Sequence, residues 1–295
     1  MLRWICFISM TACASVPRPT SIPLTIRASR AVTMPVVVDG TPFVFQLDTG
    51  ASNSVITPAT RDRLHLAHGK AVATSGAGGA VDSAEAVVLH DMHVGDRQIS
   101  NLEVAVVDLG GATGESSIDG ILGQDVLARF IAEIDLGAGS LVLHPRDSTA
   151  WRTGELAAVP FTLDEGLIRV EAKLDGVTLP AILDLGATAT IASPKAAPAG
   201  TAASGSAIGA DGRPSAIAML APAHLELGSV DLGDGSVVVS DLPVFGELHL
   251  ADQPALILGI DRLDDARIVI DPGARLVYIS RRNPAGSPSV SPPSR

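Results

Sequence analysis

Apolar residues in this chain come in short runs broken by Gly and Pro, and no stretch repeats them at the spacing of a long amphipathic helix. The pattern predicts strands and tight turns. Val36 to Asp48 reads VVVDGTPFVFQLD and Ala172 to Asp184 reads AKLDGVTLPAILD. Each is a pair of apolar runs joined at Asp-Gly (Asp39-Gly40 and Asp175-Gly176), a dipeptide suited to two-residue hairpin turns. Only short helices are predicted, around residues 57–66, 124–130 and 261–266.

The same pattern occurs twice. FQLDTGASNSVITP, Phe45 to Pro58, returns as AILDLGATATIASP, Ala181 to Pro194, at an offset of 136 (184 − 48). GILGQDVL from Gly120 and LILGIDRL from Leu256 keep that offset (259 − 123), and the tails EIDLGAGSLVLH and VIDPGARLVYIS stay in step. Each half is therefore read as one copy of one fold. The expected layout is an N-terminal lobe at 31–147, a connector at 148–158 and a C-terminal lobe at 159–282.

Composition agrees with strands. Hydrophobic residues make up 46% of the chain but aromatics only 3%, so cores must be built from Ala, Val, Leu and Ile. The formal charge of −11, with no Lys/Arg cluster, argues against a nucleic-acid partner. The N-terminus changes the picture more. Arg3, the apolar run Trp4 to Met10 and the small-residue site Met10-Thr11-Ala12-Cys13 follow the order of a secretory signal, and the run is too short to span a bilayer. The four-residue site resembles a bacterial lipoprotein box. That resemblance implies a signal at 1–12, a lipid anchor on Cys13 and a place in the periplasm on the cell envelope. A Pro/Ser-rich linker is expected at 13–30 and a disordered tail at 283–295. Cys6 would leave with the signal and Cys13 would carry lipid, so no disulfide is expected in the folded part.

The pairing of Asp48-Thr49-Gly50-Ala51 with Ile121-Leu122-Gly123, repeated as Asp184-Leu185-Gly186-Ala187 with Ile257-Leu258-Gly259, resembles retropepsin-like and pepsin-like aspartic proteases. The resemblance implies an all-β fold of two tandem retropepsin-like lobes related by a pseudo-twofold axis, with Asp48 and Asp184 as one catalytic pair. It implies a peptide or protein substrate and neither metal nor other cofactor. The glycines after the aspartates are expected to provide a backbone conformation closed to other residues, and Gly123 and Gly259 to admit a close backbone. Gly76, Gly78 and Gly79, with Gly209 and Gly212 in the second half, fall where the family carries its flaps.

One position departs from the family. There a Thr or Ser follows the catalytic Asp and its hydroxyl bonds across to the other lobe; Thr49 has that hydroxyl and Leu185 does not. Two alternatives to an active single-chain enzyme follow: a peptide-binding pseudoprotease, or a homodimer in which two copies of Asp48 meet. Other candidates read as structural. Asp125 and Asp261 are expected to cap or start short helices. The His65/His68 and His90/His93 pairs lack a zinc-hydrolase arrangement, and Asp231 to Ser236 departs from the calcium-loop spacing and reads as a hairpin turn.

Overall fold

The computed structural model describes residues 19–76, 79–109, 117–198, 201, 205–208 and 214–281. Gly78, Gly209, Gly212, Cys13, the signal and the tail lie outside them. The described chain is mainly strand, with α-helix only at Pro58–Arg63, Gln124–Leu127 and Pro243–Glu247.

Each half closes a six-stranded barrel. In lobe one the circuit runs Val32–Val38, Thr41–Leu47, Gly120–Leu122, Val55–Ile56, Arg97–Val106 and Gly79–Val94, and returns to the first strand through Val37 opposite His93. In lobe two it runs Leu167–Leu174, Val177–Leu183, Leu256–Leu258, Ile191–Ala192, Val230–Ser240 and Pro214–Leu227, closed by Lys173 opposite Glu226. These are two tandem retropepsin-like lobes. Closure leaves fewer free edges, and side chains alternate between core and solvent, as in the buried and exposed positions of Val32–Val38.

The predicted hairpins form at the predicted turns. Asp39 and Gly40 have φ of 47° and 76°, and Asp175 and Gly176 have 49° and 80°, so both central residues of each turn sit in the left-handed region.

A third sheet joins the halves. Its order is Ser21–Pro23, Ser140–His144, Ile131–Asp135, Ala266–Asp271, Leu276–Arg281 and Ala157–Pro160, so its two central strands come from different lobes. Arg267 reinforces that seam, donating to Glu133 Oε1 at 2.7 Å and to the Trp151 carbonyl at 2.6 Å. Trp151 is 2% exposed and packs at 4.6 Å on the Tyr278 ring.

Three expectations shift. Residues 21–26, read as part of a linker, are strands, because Ser21–Pro23 and Thr25–Ile26 find open edges to pair with at Ser140–His144 and Val32–Val38. The helix expected at 261–266 is a single 3-10 turn at Ile260–Arg262, since Ala266 is already drawn into the shared sheet. The helix at Pro243–Glu247 was not predicted; Pro at its start and buried Phe245 fit it to the core. Among the described residues no helix is long and apolar enough to cross a membrane.

Candidate active site

The strand Thr41–Leu47 ends at Asp48, whose N–H donates to the Leu122 carbonyl at 3.1 Å; the strand Val177–Leu183 ends at Asp184, whose N–H donates to Leu258 at 3.0 Å. The Ile-Leu-Gly strands thus hold each aspartate from behind. A Cβ on Gly123 would lie 2.7 Å from the Asn53 carbonyl carbon, and one on Gly259 would lie 2.5 Å from that of Ala189. Glycine is required there because another backbone occupies the space. Ile121 and Leu122 pair in parallel with Gln46 and Leu47, and Ile257 and Leu258 with Ile182 and Leu183; Gly123 and Gly259 follow them.

Sequence reasoning overlooked a further pair of buttresses. Gly123 N–H donates to Ser54 Oγ at 3.0 Å, and Ser54 donates to Asp125 at 2.6 Å. Gly259 N–H donates to Thr190 Oγ1 at 3.2 Å, and Thr190 donates to Asp261 at 2.8 Å. Asp125 and Asp261 start the short helices, as expected, lying in their first turns; the cap positions themselves are Gly123 and Gly259, which make no side-chain cap. The signal was available, since Ser54 and Thr190 are hydroxyl residues at the same place in the repeat.

The two loops meet face to face. A Cβ on Gly50 would collide with the Asp184 carboxyl, and one on Gly186 with the Asp48 carboxyl. Neither glycine has positive φ, so the expected conformational reason for them is replaced by a steric one: each glycine leaves room for the opposite lobe's carboxyl. Gly50 N–H donates to Asp48 Oδ1 at 2.8 Å. Asp184 Oδ1 receives two donors, Gly186 N–H at 2.8 Å and Ala187 N–H at 3.0 Å. Both aspartates keep partial access to solvent.

The electrostatics follow from that crowding. Burial pushes the Asp48 carboxyl well above the usual carboxylate range, and the charge and hydrogen bond of Asp184 push it further, against a partial offset from the backbone N–H groups of Gly50 and Ala51. Burial also raises Asp184, but its two backbone donors and the hydrogen bond with Asp48 hold it back. Two carboxyls packed against each other in this way do not ionise independently, and the upward push is the stronger on Asp48.

Across the lobe boundary the contacts are unequal. Thr49, fully buried, donates to the Leu183 carbonyl at 2.8 Å and accepts from Leu185 N–H at 2.9 Å. The reciprocal bonds cannot form, because Leu185 has no hydroxyl; it is 1% exposed and belongs to the main core. Gln124 Nε2 holds the Thr49 carbonyl from behind at 3.0 Å, and Ser52 reaches the Glu165 carbonyl of lobe two at 2.6 Å. Of the expected flap residues, Gly76 and Gly79 face each other at the end of the hairpin formed by Lys70–Gly76 and Gly79–Val94; the corresponding hairpin in lobe two joins Gly205–Ile208 to Pro214–Leu227.

The other candidates stay apart from this site. His93 pairs with Asp91 at 3.1 Å, and His68 with Glu85. Asp231 to Ser236 lies within the strand Val230–Ser240, with Gly233 at φ 78° marking a bulge rather than a hairpin turn.

Two closed barrels that present one aspartate each to a common boundary are an architecture of two tandem retropepsin-like lobes. Residues 34–126, just under a third of the chain, match the family model described as aspartyl protease, and the match includes the Asp48 loop and the Ile121-Leu122-Gly123 strand. It supports an aspartic protease type for the protein. No curated protein matches the chain.

Proposed function

We propose that the chain is an aspartic endopeptidase in which Asp48 and Asp184 activate one water against an extended peptide. The observation that carries this reading is the facing pair itself: two carboxyls, each presented by a glycine-flanked loop, close enough to hydrogen-bond and perturbed upward by burial. Asp184, held by two backbone N–H groups, is the ionised member and takes a proton from the attacking water. Asp48 donates its proton to the scissile carbonyl oxygen as the water oxygen bonds to the carbon. Collapse of the resulting diol breaks the C–N bond: Asp184 gives its proton to the leaving amine while Asp48 takes one from a diol hydroxyl, which restores the starting pair. No covalent enzyme intermediate is needed. The glycine-rich hairpins would cover the substrate and pair with its backbone.

The single-chain form is favoured over a homodimer because Asp184 already fills the position opposite Asp48. One observation favours a second reading, a peptide-binding pseudoprotease: Leu185 halves the cross-lobe hydroxyl bonds that keep such a pair rigid. A diverse peptide pool incubated with the purified protein separates the two. Cleavage that disappears in both Asp48→Asn and Asp184→Asn supports the peptidase; binding without cleavage in the wild type supports the pseudoprotease, and activity that survives Asp184→Asn points to the homodimer.

We assign the protein to the periplasm, tethered to the envelope through lipid on Cys13, on the strength of Arg3, the short apolar run and the Met10-Thr11-Ala12-Cys13 site. Labelling with a radioactive fatty acid in a bacterial host tests this. Loss of label in Cys13→Ser is the expected result, and an unlabelled wild type overturns it.

A further inference from the structure

Two residues before the aspartate, lobe one carries Gln46 where the repeat places Ile182 in lobe two. Both are buried, at 5% and 2% exposure. Gln46 Nε2 donates across the lobe boundary to the Gly186 carbonyl at 3.3 Å, while Oε1 is buried without a hydrogen-bond partner among the described residues. Reversing the amide would set oxygen against oxygen, so the Gly186 carbonyl determines its orientation. An orphaned buried acceptor costs about 1–3 kcal/mol, a penalty that an aliphatic residue avoids. A residue that breaks the local rule in this way is expected at functional positions rather than structural ones.

The bond lands on a specific peptide unit. The Gly186 carbonyl and the Ala187 N–H belong to one planar group. Its oxygen accepts from Gln46, and its N–H donates to Asp184 Oδ1 at 3.0 Å. Gln46 lies in the strand that delivers Asp48, two residues before it, and reaches across to the group that holds Asp184. Hydrogen bonds in series polarise one another, and a donor on the carbonyl strengthens the N–H at the other end.

Resting on the peptidase reading, we infer that Gln46 is a positioning residue: it orients the 186–187 peptide so that Asp184 remains the ionised partner. It also adds a lobe-one tie to the loop in which Leu185 supplies none.

Gln46→Met keeps the volume and removes both polar atoms; Gln46→Ile, which copies lobe two, serves as the second variant should the first not fold. The expected result is a fall in kcat of about fivefold, the equivalent of one hydrogen bond, with KM unchanged. The acid limb of the kcat/KM profile should move to higher pH, because Asp184 loses support for its charge. Thermal stability should hold or rise, since the orphaned oxygen is gone. A carbon-13 titration of the aspartate carboxyls should show the lower of the two steps moving up. A variant with unchanged kcat and unchanged acid limb overturns the inference and leaves the peptidase reading standing, as does a fall in activity that only parallels a fall in stability. A wild type that cleaves nothing removes the peptidase reading, and the carboxyl titration then decides the role of Gln46 by itself.

Discussion

The loops at 45–58 and 181–194 share a sequence skeleton and a backbone scaffold, yet they divide the side-chain work unequally. Everything that holds each aspartate from behind occurs twice: the N–H bonds to Leu122 and Leu258, the close approaches at Gly123 and Gly259, and the hydroxyl bridges of Ser54 and Thr190. Between these two loops, the side-chain bonds that cross come from one side. Lobe one sends Gln46 and Thr49 across, and lobe two answers with backbone carbonyls, an N–H and the aliphatic bodies of Ile182 and Leu185. A bridge needs one donor and one acceptor, so two lobes in one chain can place the side-chain member of each bridge on the same side. Two identical chains could not.

The severest test of the pairing is the aspartates. Asp48→Asn and Asp184→Asn should each reduce peptide cleavage by about a thousandfold, within the range of lost acid-base catalysis, as read in single-turnover assays. A large loss in only one of them would break the equivalence of the loops. Gly50→Ala and Gly186→Ala come next: each new methyl meets the opposite carboxyl, and urea unfolding should show a loss of about 3 kcal/mol. Gly40→Ala, where nothing stands near, should lose only the strain of a positive φ, about 1 kcal/mol.

Leu185→Thr sharpens the contrast between lobes. Cutting back a buried leucine should destabilise by about 1–3 kcal/mol, with a new hydroxyl bond returning about 1 kcal/mol of it. A variant that is both more stable and more active would show that the leucine is a defect and not a packing element. Ser54→Ala and Thr190→Val test the symmetric part, and equal losses of about 1 kcal/mol in thermal melts are expected.

The smallest effect is one of pH. The folded-state pKa of Asp48 is raised, so the native state binds its proton more tightly than the unfolded chain does. That contribution to stability is complete below the usual carboxylate range and is lost as pH rises through the raised value. Asp48→Asn should therefore gain in Tm relative to wild type at neutral pH, and the gain should vanish in acid. A pH-independent difference would mean that the carboxyl is not perturbed.

Much of this was legible because the repeat is local. Asp-Gly turns, alternating strands and the Asp and Ile-Leu-Gly elements are each set within a few residues, and their shared offset revealed the two lobes. The shared sheet was harder to foresee: its central pairing, Ala132 with Ile270, joins segments that carry no mutual signal beyond ordinary strand character. Gln46 is one polar residue in an apolar strand, and only its bond to Gly186 distinguishes it.

By itself the sequence determined that two copies of one β module follow each other, each with an aspartate at a strand end, since hydrophobic period and turn chemistry act over short range. The tertiary structure alone decided that Gly50 and Gly186 are there to make space, that Thr49 and Gln46 carry the cross-lobe bonds, and that the Asp48 carboxyl is pushed up the further of the two. Those properties depend on groups more than a hundred residues apart being brought within hydrogen-bond reach, where burial and proximity, and not residue type, set the chemistry.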